Sequence, residues 1–305
     1  MSTAPPGAIE RDFPLARLTT VRTGGAADWF VRPGDEGTLL RALAWAGEEQ
    51  LPIGVIGSGS NLLVADEGFR GLALKLNGDL ATVQKQGTQL YCGGGARLPS
   101  AAARAAGWGL SGLEFGVNIP GTVGGAVRMN ANAYGGQLAR VLEWVAVASP
   151  EGLSKRTPDD LDFAYRSSNL TDDDVVIRAS FVLESADPQA VKATMAAMRE
   201  RRHEAQPSGI KTFGSTFKNP EDERAEGRSA GQLLEAAGCR GLAAGGARFS
   251  PKHANFVENT GEASTADVLE LMAAARRRVH ERFGIALEPE VQLLGEVRWP
   301  EGWEL

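Results

Sequence analysis

The stretch NIPGTVGGAVRMNANAYGG, residues 118–136, is the part of the chain from which its fold is inferred. It combines five glycines with three asparagines, and Arg128 is its only charged residue. Glycine is used where the backbone needs a positive φ or must approach another group closely. Successive N–H groups in such a turn form a concavity that suits an anion. The stretch is therefore predicted to hold the phosphates of a large cofactor. The alternative is a tight turn before a buried strand.

The composition is that of an ordinary globular protein. With 305 residues, 43% hydrophobic and 23% charged, the chain can bury a large core and is expected to form more than one domain. Its net charge of −6 argues against nucleic acid as a partner, because binding to a phosphate backbone needs a basic surface. No apolar run approaches the roughly 18 residues of a membrane span.

The cysteines and histidines exclude two further classes of site. Cys92 and Cys239 belong to no CxxC motif, which predicts a reducing, cytoplasmic compartment and no disulfide framework. His203, His253 and His280 lack the spacing of metal ligands, so no metal site is expected. The N-terminal region has no apolar block, and no secretory signal is predicted.

The order of predicted elements divides the chain into lobes. A strand–helix–strand pattern predicts a first α/β lobe at 17–80, and short alternating strands predict a mainly β lobe at 81–185. A separate α+β domain is expected at 186–290, followed by a strand and tail at 291–305.

Capping signals locate the helices. Asp35 and Ser264 are predicted N-caps, and Gly284 is a predicted C-cap. The Arg199, Arg201 and Arg202 group on a helix after Pro188 is interpreted as a solvated face. The predicted helices cover 35–50, 99–107, 187–204, 229–238 and 264–284.

Two glycine-rich segments are candidates for binding a diphosphate. GSGSNL at 57–62 begins like a dinucleotide fingerprint, but Leu62 stands where the third glycine belongs, and no GxxxxGK[ST] motif occurs. The other segment is IPGTVGG at 119–125. Together, in neighbouring lobes, they predict one long diphosphate-bearing cofactor between two subdomains.

Three further segments contain residues able to do chemistry. Arg166 in FAYRSS offers a planar fork for a carboxylate or phosphate, although a surface arginine is the alternative. Ser215 in FGSTFKNP is a general acid or a plain turn hydroxyl, and no GxSxG elbow surrounds it. Glu288 and Glu290 in LEPEV share a face if the segment is extended, and a solvated edge is the alternative.

These segments, taken in order, resemble one family. TTVRTGGAADWFV, GSGSNLLVADEGFRG, GLEFGVNIPGTVGGAVRMNANAYGG, FAYRSS, FGSTFKNP, AGQLLEAAG, FSPKHANFVEN and LEPEVQLLGE span roughly 20 to 296. The ordered set is similar to the UDP-N-acetylenolpyruvoylglucosamine reductases, flavin enzymes of bacterial cell-wall precursor synthesis.

The resemblance implies a fold and a reaction. The expected fold is α+β, with two FAD-binding subdomains of the p-cresol methylhydroxylase and vanillyl-alcohol oxidase type and a C-terminal substrate domain. The expected reaction uses NADPH and FAD to reduce UDP-N-acetylglucosamine enolpyruvate to UDP-N-acetylmuramate. The family also implies a cytoplasmic enzyme, which we expect to be a monomer without nucleic-acid or membrane partners.

The resemblance assigns roles residue by residue. Ser215 would deliver a proton to the substrate, while Arg166 and Glu290 would hold its carboxylate, Glu290 only if it is protonated or bridged by donors. Tyr165, Lys218 and Asn219 would help to bind the substrate. The positions matching the FAD-contacting motifs are Gly57, Ser58, Gly59, Ser60, Asn61, Leu62, Ile119, Pro120, Gly121, Thr122, Gly124, Gly125 and Asn130.

The sequence departs from the family pattern at two positions. Asn118 and Asn132 stand where glycine is usual, and we expect them to accept a positive φ better than most residues would. The short connection from Arg166 to Ser215 resembles the branch that lacks an inserted tyrosine loop. Two other functions stay open, a flavin oxidase of the same superfamily and a non-catalytic flavin- or nucleotide-binding module.

Overall fold

The computed structural model describes residues 9–304, which divide into two compact units. Unit 1 comprises residues 9–12, 28–58 and 70–202. Unit 2 comprises residues 13–27, 59–69 and 203–304. Within residues 9–304, no helix combines the length and the apolar character needed to cross a bilayer.

Helices and strands are interspersed throughout the chain. The helices are α1 Glu36–Glu48, α2 Leu98–Gly107, α3 Val123–Arg128, α4 Pro188–Ala205, α5 Ala230–Ala236 and α6 Thr265–Phe283. The strands are β1 Glu10–Pro14, β2 Ala26–Val31, β3 Ile53–Val55, β4 Leu62–Val64, β5 Phe69–Leu74, β6 Val83–Gln86, β7 Gln89–Gly93, β8 Leu110–Ser111, β9 Asn132–Ala133, β10 Gly136–Gln137, β11 Leu142–Ser149, β12 Gly152–Arg156, β13 Val175–Val182, β14 Glu184–Ser185, β15 Ala243–Ala244, β16 Ala247–Phe249, β17 Val257–Asn259 and β18 Gln292–Leu294.

Unit 1 is built on a five-stranded antiparallel sheet in the order β12-β11-β13-β7-β6. Its buried face carries Leu90, Val145 and Phe181, all fully buried, and these belong to one core with the apolar residues of α2. A second core joins α1 to β3 and β5, which pair in parallel. Alternating strands and an alanine-rich helix thus form the elements that their patterns predict.

Unit 2 packs α5 and α6 around one core with the three-stranded sheet β15-β16-β17. Phe213 and Phe217 are buried, each with 1% exposure, and belong to the same core. They flank the segment Gly214–Thr216, so this irregular stretch is anchored at both ends. In the same unit, β18 pairs in parallel with β4.

The predicted helix caps are confirmed. The carboxylate of Asp35 accepts the N–H of Thr38, at 2.8 Å. Ser264 and Asp267 form a reciprocal capping box at the start of α6, and Gly284 ends it with φ 71°. Asp35 and Ser264 accept N–H groups that have no partner within the helix, and Gly284 adopts the left-handed conformation that ends a helix. Because these requirements are local, the sequence locates these helix ends well.

One buried ion pair links β12 to the loop before β13 in unit 1. Arg156 donates to both carboxylate oxygens of Asp174, at 3.0 and 2.7 Å, and the N–H of Thr171 adds a third bond at 2.9 Å. Burial acts to raise the pKa of Asp174, but the bonds from Arg156 and Thr171 outweigh it and lower this pKa. The pair therefore stabilises the fold at neutral pH and weakens in acid.

We expect Asp174→Asn to lower the free energy of unfolding at pH 7 by about 1–3 kcal/mol, since Arg156 loses a charged partner. A carboxyl with a depressed folded pKa contributes stability above its unfolded pKa, near 4, and loses it as pH falls through the folded pKa. Urea unfolding from pH 7 to pH 2 should therefore show the difference between wild type and variant shrinking below about pH 4.

Asp172→Asn is the matched control, because the side chain of Asp172 in the same loop is 97% exposed in its pair with Arg128. An exposed pair of this kind is worth about 0–1 kcal/mol. Equal effects of the two substitutions at neutral pH would contradict the assignment of acid sensitivity to Asp174.

Candidate active site

The two glycine-rich segments meet in unit 1. A Cβ atom added to Gly57 would lie 2.5 Å from the Oγ1 of Thr122, so only glycine fits at this contact. The ammonium group of Lys75 donates to the carbonyl oxygen of Gly57. Burial lowers the pKa of Lys75, and the charges of Arg32 and Arg97 lower it further. The two segments thus meet where the backbone of Gly57 lies close to the side chain of Thr122, with the ammonium of Lys75 beside it.

The 119–125 segment opens a helix, not a strand. Thr122 is the N-cap of α3, and its hydroxyl accepts the N–H of Gly125 at 3.3 Å. The alternative of a turn before a buried strand is therefore wrong. Three further N–H groups here are also engaged by the protein: Gly121 donates to the carbonyl oxygen of Ile119, Val123 to that of Ala96 and Gly124 to that of Gly94. A diphosphate held at this segment needs donors other than these four N–H groups.

Glycine serves close approach more than positive φ in residues 118–136. Only Gly135, at 81°, has a positive φ among the five glycines, whereas Asn130 and Tyr134 also have one. Gly136 faces the ring of Phe115, where an added Cβ would lie 2.5 Å away. Of the two uses of glycine, a positive φ therefore applies to Gly135, and close approach applies to Gly136 and, at 3.1 Å, to Gly124.

Gly121 and Gly125 have neither a close contact nor a positive φ, and Gly121 provides a test of fit for FAD. A Cβ atom there would meet nothing within 4 Å, and φ is not positive. Neither packing nor backbone conformation within the protein explains a glycine at this position. A ligand lying close to the backbone does explain it, because glycine permits that approach. The open space beside Gly121 is therefore compatible with a cofactor that lies close to this segment.

No candidate motif of the sequence includes Gly93–Gly95, which the structure places beside the same segment. The carbonyl oxygen of Gly94 accepts the N–H of Gly124 at 2.8 Å. A Cβ atom on Gly94 would collide with the carbonyl oxygen of Val176. Three consecutive glycines shortly before a helix were the available signal. Nearby, burial raises the pKa of the Cys92 thiol to about 12, so this cysteine is unsuited to attacking a flavin.

The second half of the GSGSN segment lies in unit 2. Gly59 has φ 64°, and its carbonyl oxygen accepts both the N–H and the hydroxyl of Thr20. Asn61 donates from Nδ2 to the carbonyl oxygen of Glu290, at 3.1 Å. Leu62 begins β4 and is paired with Gln292. The Ser60–Asn61 turn is thus fixed beside the backbone of Glu290.

Ser215 lies on a short extended segment beside the same backbone. The N–H of Glu290 donates to the carbonyl oxygen of Thr216 at 2.8 Å, and Ser215 forms an antiparallel bridge with Phe256. Gly214, with φ 86°, brings the segment near Ser60, because a Cβ atom added to this glycine would lie 3.7 Å from the carbonyl oxygen of Ser60. Unit 2 therefore brings together Ser60, Asn61, Ser215 and Glu290, which are far apart in sequence.

Lys218 and Asn219 follow on the same segment. The ammonium of Lys218 lies 3.3 Å from a carboxylate oxygen of Glu288, whose side chain is 74% exposed. The N–H of Lys218 also donates to the carbonyl oxygen of Glu288, at 2.9 Å. Asn219 uses its Oδ1 to accept the N–H of Ala230 at 3.0 Å, so its amide nitrogen is directed away from α5. Both side chains offer donors to an anionic ligand.

Arg166 occupies a strained turn in unit 1. Ala164 and Ser167 bond to each other in both directions, at 3.2 and 3.3 Å, which closes a tight turn around Tyr165 and Arg166. Arg166 has φ 55°, a left-handed conformation that long side chains rarely adopt. Its guanidinium donates to the carbonyl oxygen of Asn132, at 3.3 Å, and lies 5.4 Å from the ring centre of Tyr165.

Asn130 is hydrogen-bonded to this turn. Its side chain is fully buried, donates to the carbonyl oxygen of Ala164 at 3.1 Å and accepts the N–H of Ala139 at 3.4 Å. A residue without exposed surface offers no contact to a cofactor. In place of the expected FAD contact, we therefore propose that Asn130 holds the Arg166 turn. The convergence of Arg166 with Ser215 and Glu290 involves different units and stays a prediction.

The two asparagines that depart from the family pattern do not have positive φ. Asn118 instead donates to the carbonyl oxygen of Met198 at 2.7 Å and to the hydroxyl of Tyr134 at 3.2 Å. Arg202 donates to the carbonyl oxygen of Asn118, and burial lowers the pKa of this arginine. The interpretation of Arg202 as part of a solvated face is therefore wrong. Asn132 lies in β9.

Two family profiles match separate parts of this chain. The profile of the FAD binding domain family matches residues 27–157, and that of the UDP-N-acetylenolpyruvoylglucosamine reductase C-terminal domain matches residues 206–294. In the part of the chain that the structure describes, no cluster of three His, Cys, Asp or Glu side chains is arranged to hold a metal ion.

Full-length relatives carry the same description. UDP-N-acetylenolpyruvoylglucosamine reductase 2 of Symbiobacterium thermophilum is 44% identical over 96% of this chain and 94% of its own length. The reductase of Anaeromyxobacter dehalogenans strain 2CP-C is 45% identical over 94% of this chain and 85% of its own.

A crystal structure of the Thermus caldophilus UDP-N-acetylenolpyruvylglucosamine reductase superposes with a TM-score of 0.80 at 37% identity, covering 94% of this chain and 98% of that one. These matches confirm the predicted α+β fold, with an FAD-binding region followed by a C-terminal domain, and they identify the protein as an FAD-containing oxidoreductase. The chain belongs to the UDP-N-acetylenolpyruvoylglucosamine reductase family.

Proposed function

We propose that this protein is an NADPH-dependent reductase that converts UDP-N-acetylglucosamine enolpyruvate to UDP-N-acetylmuramate. The observation that carries the proposal is the arrangement in unit 2, where the Ser215 segment lies between the backbones of Phe256 and Pro289–Glu290 with Asn61 bonded to Glu290. The chemistry supplied by bound FAD is hydride transfer from NADPH to the outer carbon of the enolpyruvyl group.

Residues of the chain then stabilise the negative charge on the substrate and supply a proton to it. Hydride addition to the outer carbon leaves negative charge on the carbon that bears the carboxylate. We assign Arg166 to the carboxylate, because a guanidinium fork fits it with two parallel bonds. Ser215 donates the proton to the charged carbon, which completes the addition of hydrogen across the double bond. A hydroxyl is a weak acid, but the carbon is a strong base at this moment, so the transfer is favourable.

Glu290 lies beside Thr216 through its backbone, and its carboxyl contributes to holding the substrate carboxylate when it is protonated or bridged by donors. Lys218 and Asn219 supply donors to the diphosphate of the substrate. Lys218 is partly neutralised by Glu288, 3.3 Å away, and Tyr165 stands beside Arg166 in the same turn. Gly57, Ser58 and the 119–125 segment accommodate FAD. We propose that the enzyme acts as a monomer in the cytoplasm.

The purified protein tests this function directly. We expect a yellow protein with bound FAD that turns over NADPH continuously only when UDP-N-acetylglucosamine enolpyruvate is present, with a product two hydrogen masses heavier than this substrate. If the flavin is reoxidised by oxygen and is indifferent to this substrate, the protein is a flavin oxidase. If NADPH leaves the flavin oxidised and no turnover occurs, a non-catalytic flavin-binding module is the better account.

A further inference from the structure

The segment carrying Ser215 has little regular sheet structure to hold it. Its pairing consists of isolated bridges, Ser215 with Phe256 and Phe217 with Pro289, in place of a continuous ladder. A segment held this way depends on a few specific bonds for its position. Proton transfer by Ser215 and ligand binding by Lys218 both require these residues to be held in a precise position.

Asn255 supplies three of these bonds. Its carbonyl oxygen accepts the N–H of Thr216 at 2.8 Å. Its side chain accepts the N–H of Phe217 at 2.9 Å and donates to the carbonyl oxygen of Phe217 at 2.8 Å. Asn255 is 4% exposed, so water competes little for these bonds. The side chain thus bonds to Phe217 as a backbone amide would and fixes this residue between Ser215 and Lys218.

An amide is the group that this clamp requires. Asparagine offers a donor and an acceptor from one planar group, whereas an ionised carboxylate only accepts and an apolar side chain does neither. A buried carbonyl oxygen left without its donor costs about 1–3 kcal/mol. Phe217 is 1% exposed, so water does not replace these hydrogen bonds to its backbone.

Asn255 is itself fixed from its own side. Its N–H donates to the Nδ1 of His253 at 3.2 Å, and the N–H of Phe256 donates to the carbonyl oxygen of His253 at 3.1 Å. Burial lowers the pKa of His253, and the positive charge of Arg240 lowers it further, so its ring is neutral and able to accept at neutral pH. The ring of His253 also packs 4.7 Å from that of Phe256.

We infer that Asn255 is a positioning residue that sets the placement of the Ser215 hydroxyl and the Lys218 ammonium for reduction of the substrate. This inference rests on the proposed function. The clamp acts through Phe217 and touches no reacting atom. Asn255 is therefore expected to affect the step that uses Ser215 and to leave the reduction of the flavin by NADPH unchanged.

Asn259 provides a matched control in the same segment. It is a buried asparagine, 8% exposed, whose side chain donates to the carbonyl oxygen of Val21 at 2.9 Å. Its Oδ1 accepts the N–H groups of Gly261 and Ala263, at 2.8 and 3.1 Å. Its side-chain bonds thus go to segments other than 214–218, so substitution there costs stability without releasing the Ser215 segment.

The experiment compares Asn255→Asp, Asn255→Ser and Asn259→Asp as FAD-loaded proteins. Stopped-flow absorbance follows flavin reduction by NADPH and, separately, flavin reoxidation by UDP-N-acetylglucosamine enolpyruvate. We expect Asn255→Asp to slow reoxidation by about 10- to 100-fold, as misplacement by about 1 Å does, with flavin reduction unaffected. Reoxidation should recover from pH 8 to pH 6, because a protonated carboxyl can again donate to Phe217. Asn259→Asp should leave both rates per bound flavin unchanged.

The outcomes separate the inference from the proposed function. Asn255→Ser keeps a smaller hydrogen-bonding group and serves if the aspartate variant does not fold. Equal slowing of both half-reactions, equal slowing in the Asn259 variant, or no slowing in either Asn255 variant overturns the inference while the function stands. If wild-type flavin is not reoxidised by this substrate, the proposed function fails, and the inference fails with it.

Discussion

Replacement of Ser215 with alanine is expected to slow reoxidation of the flavin by UDP-N-acetylglucosamine enolpyruvate by about 10²–10⁴-fold, the usual contribution of a positioned general acid. Reduction of the flavin by NADPH should continue at the wild-type rate, because the hydroxyl acts only after hydride has reached the substrate. Stopped-flow absorbance measures the two half-reactions separately. A large loss confined to one of them assigns Ser215 to proton transfer.

The neighbouring residue gives a control with the same kind of change. Thr216 is fully buried, and its hydroxyl has no hydrogen-bond partner among residues 9–304. Thr216→Val removes this hydroxyl while keeping the shape of the side chain, so both half-reactions should run at wild-type rates. Stability should hold or increase, since a buried unsatisfied polar group costs about 1–3 kcal/mol.

Two results would count against a proton-donating Ser215. One is an unchanged rate of substrate reduction in Ser215→Ala, which also favours a non-catalytic module. The other is equal slowing of both half-reactions in Ser215→Ala, which indicates a distorted site in place of a missing acid. Bound FAD is measured first, because loss of the cofactor would slow both steps for a different reason.

Local signals predicted five of the six α-helices in residues 9–304 and missed α3, whereas the site depends on contacts between distant residues. The caps Asp35 and Ser264 and the Gly284 stop act over one helical turn, so the chain predicts them directly. The bond from Asn61 to the backbone of Glu290 spans 229 residues, and no local pattern indicates it. Order along the chain, compared with a known family, was the signal that joined these segments.

The glycine-rich stretch shows the limit of reading conformation from composition. Glycine permits both positive φ and close packing, and residue type does not tell the two apart. In residues 118–136 packing prevails, as at Gly136 against Phe115, while the positive φ angles fall on Asn130 and Tyr134. Asn118 tolerates a positive φ but does not have one, and its side chain bonds to Met198 and Tyr134.

A left-handed arginine is the strongest conformational indication of function in unit 1. The turn Ala164–Ser167 places Arg166 at φ 55°, a position that glycine would occupy with less strain. For residues with a Cβ this conformation costs about 1–2 kcal/mol. Backbone strain of this kind concentrates at functional sites, where the surrounding structure compensates for it. Arg166 therefore lowers the stability of the fold, and its proposed binding of the substrate carboxylate explains why an arginine occupies this position.

We expect Arg166→Gly to lower kcat/KM for the enolpyruvyl substrate by about 10²–10³-fold, the loss typical of one donor to developing negative charge. The free energy of unfolding should stay within about 1 kcal/mol of wild type, because relief of strain offsets the greater freedom of glycine in the unfolded chain. Arg166→Lys keeps the charge but loses the planar fork, so its kcat/KM should lie between those of wild type and Arg166→Gly. Steady-state kinetics and urea unfolding on the same preparations provide both numbers.

Asp162→Gly is the control that separates strain from chemistry. Asp162 also has a positive φ, at 43°, and lies four positions before Arg166 in the same loop, with a bond from Asn169 at 3.2 Å. Its replacement relieves comparable strain without removing a substrate-binding group, so kcat/KM should remain at the wild-type value. If Arg166→Gly is as active as Asp162→Gly, the guanidinium has no role in catalysis. If it instead unfolds readily, the arginine serves the fold, and another cation must hold the carboxylate.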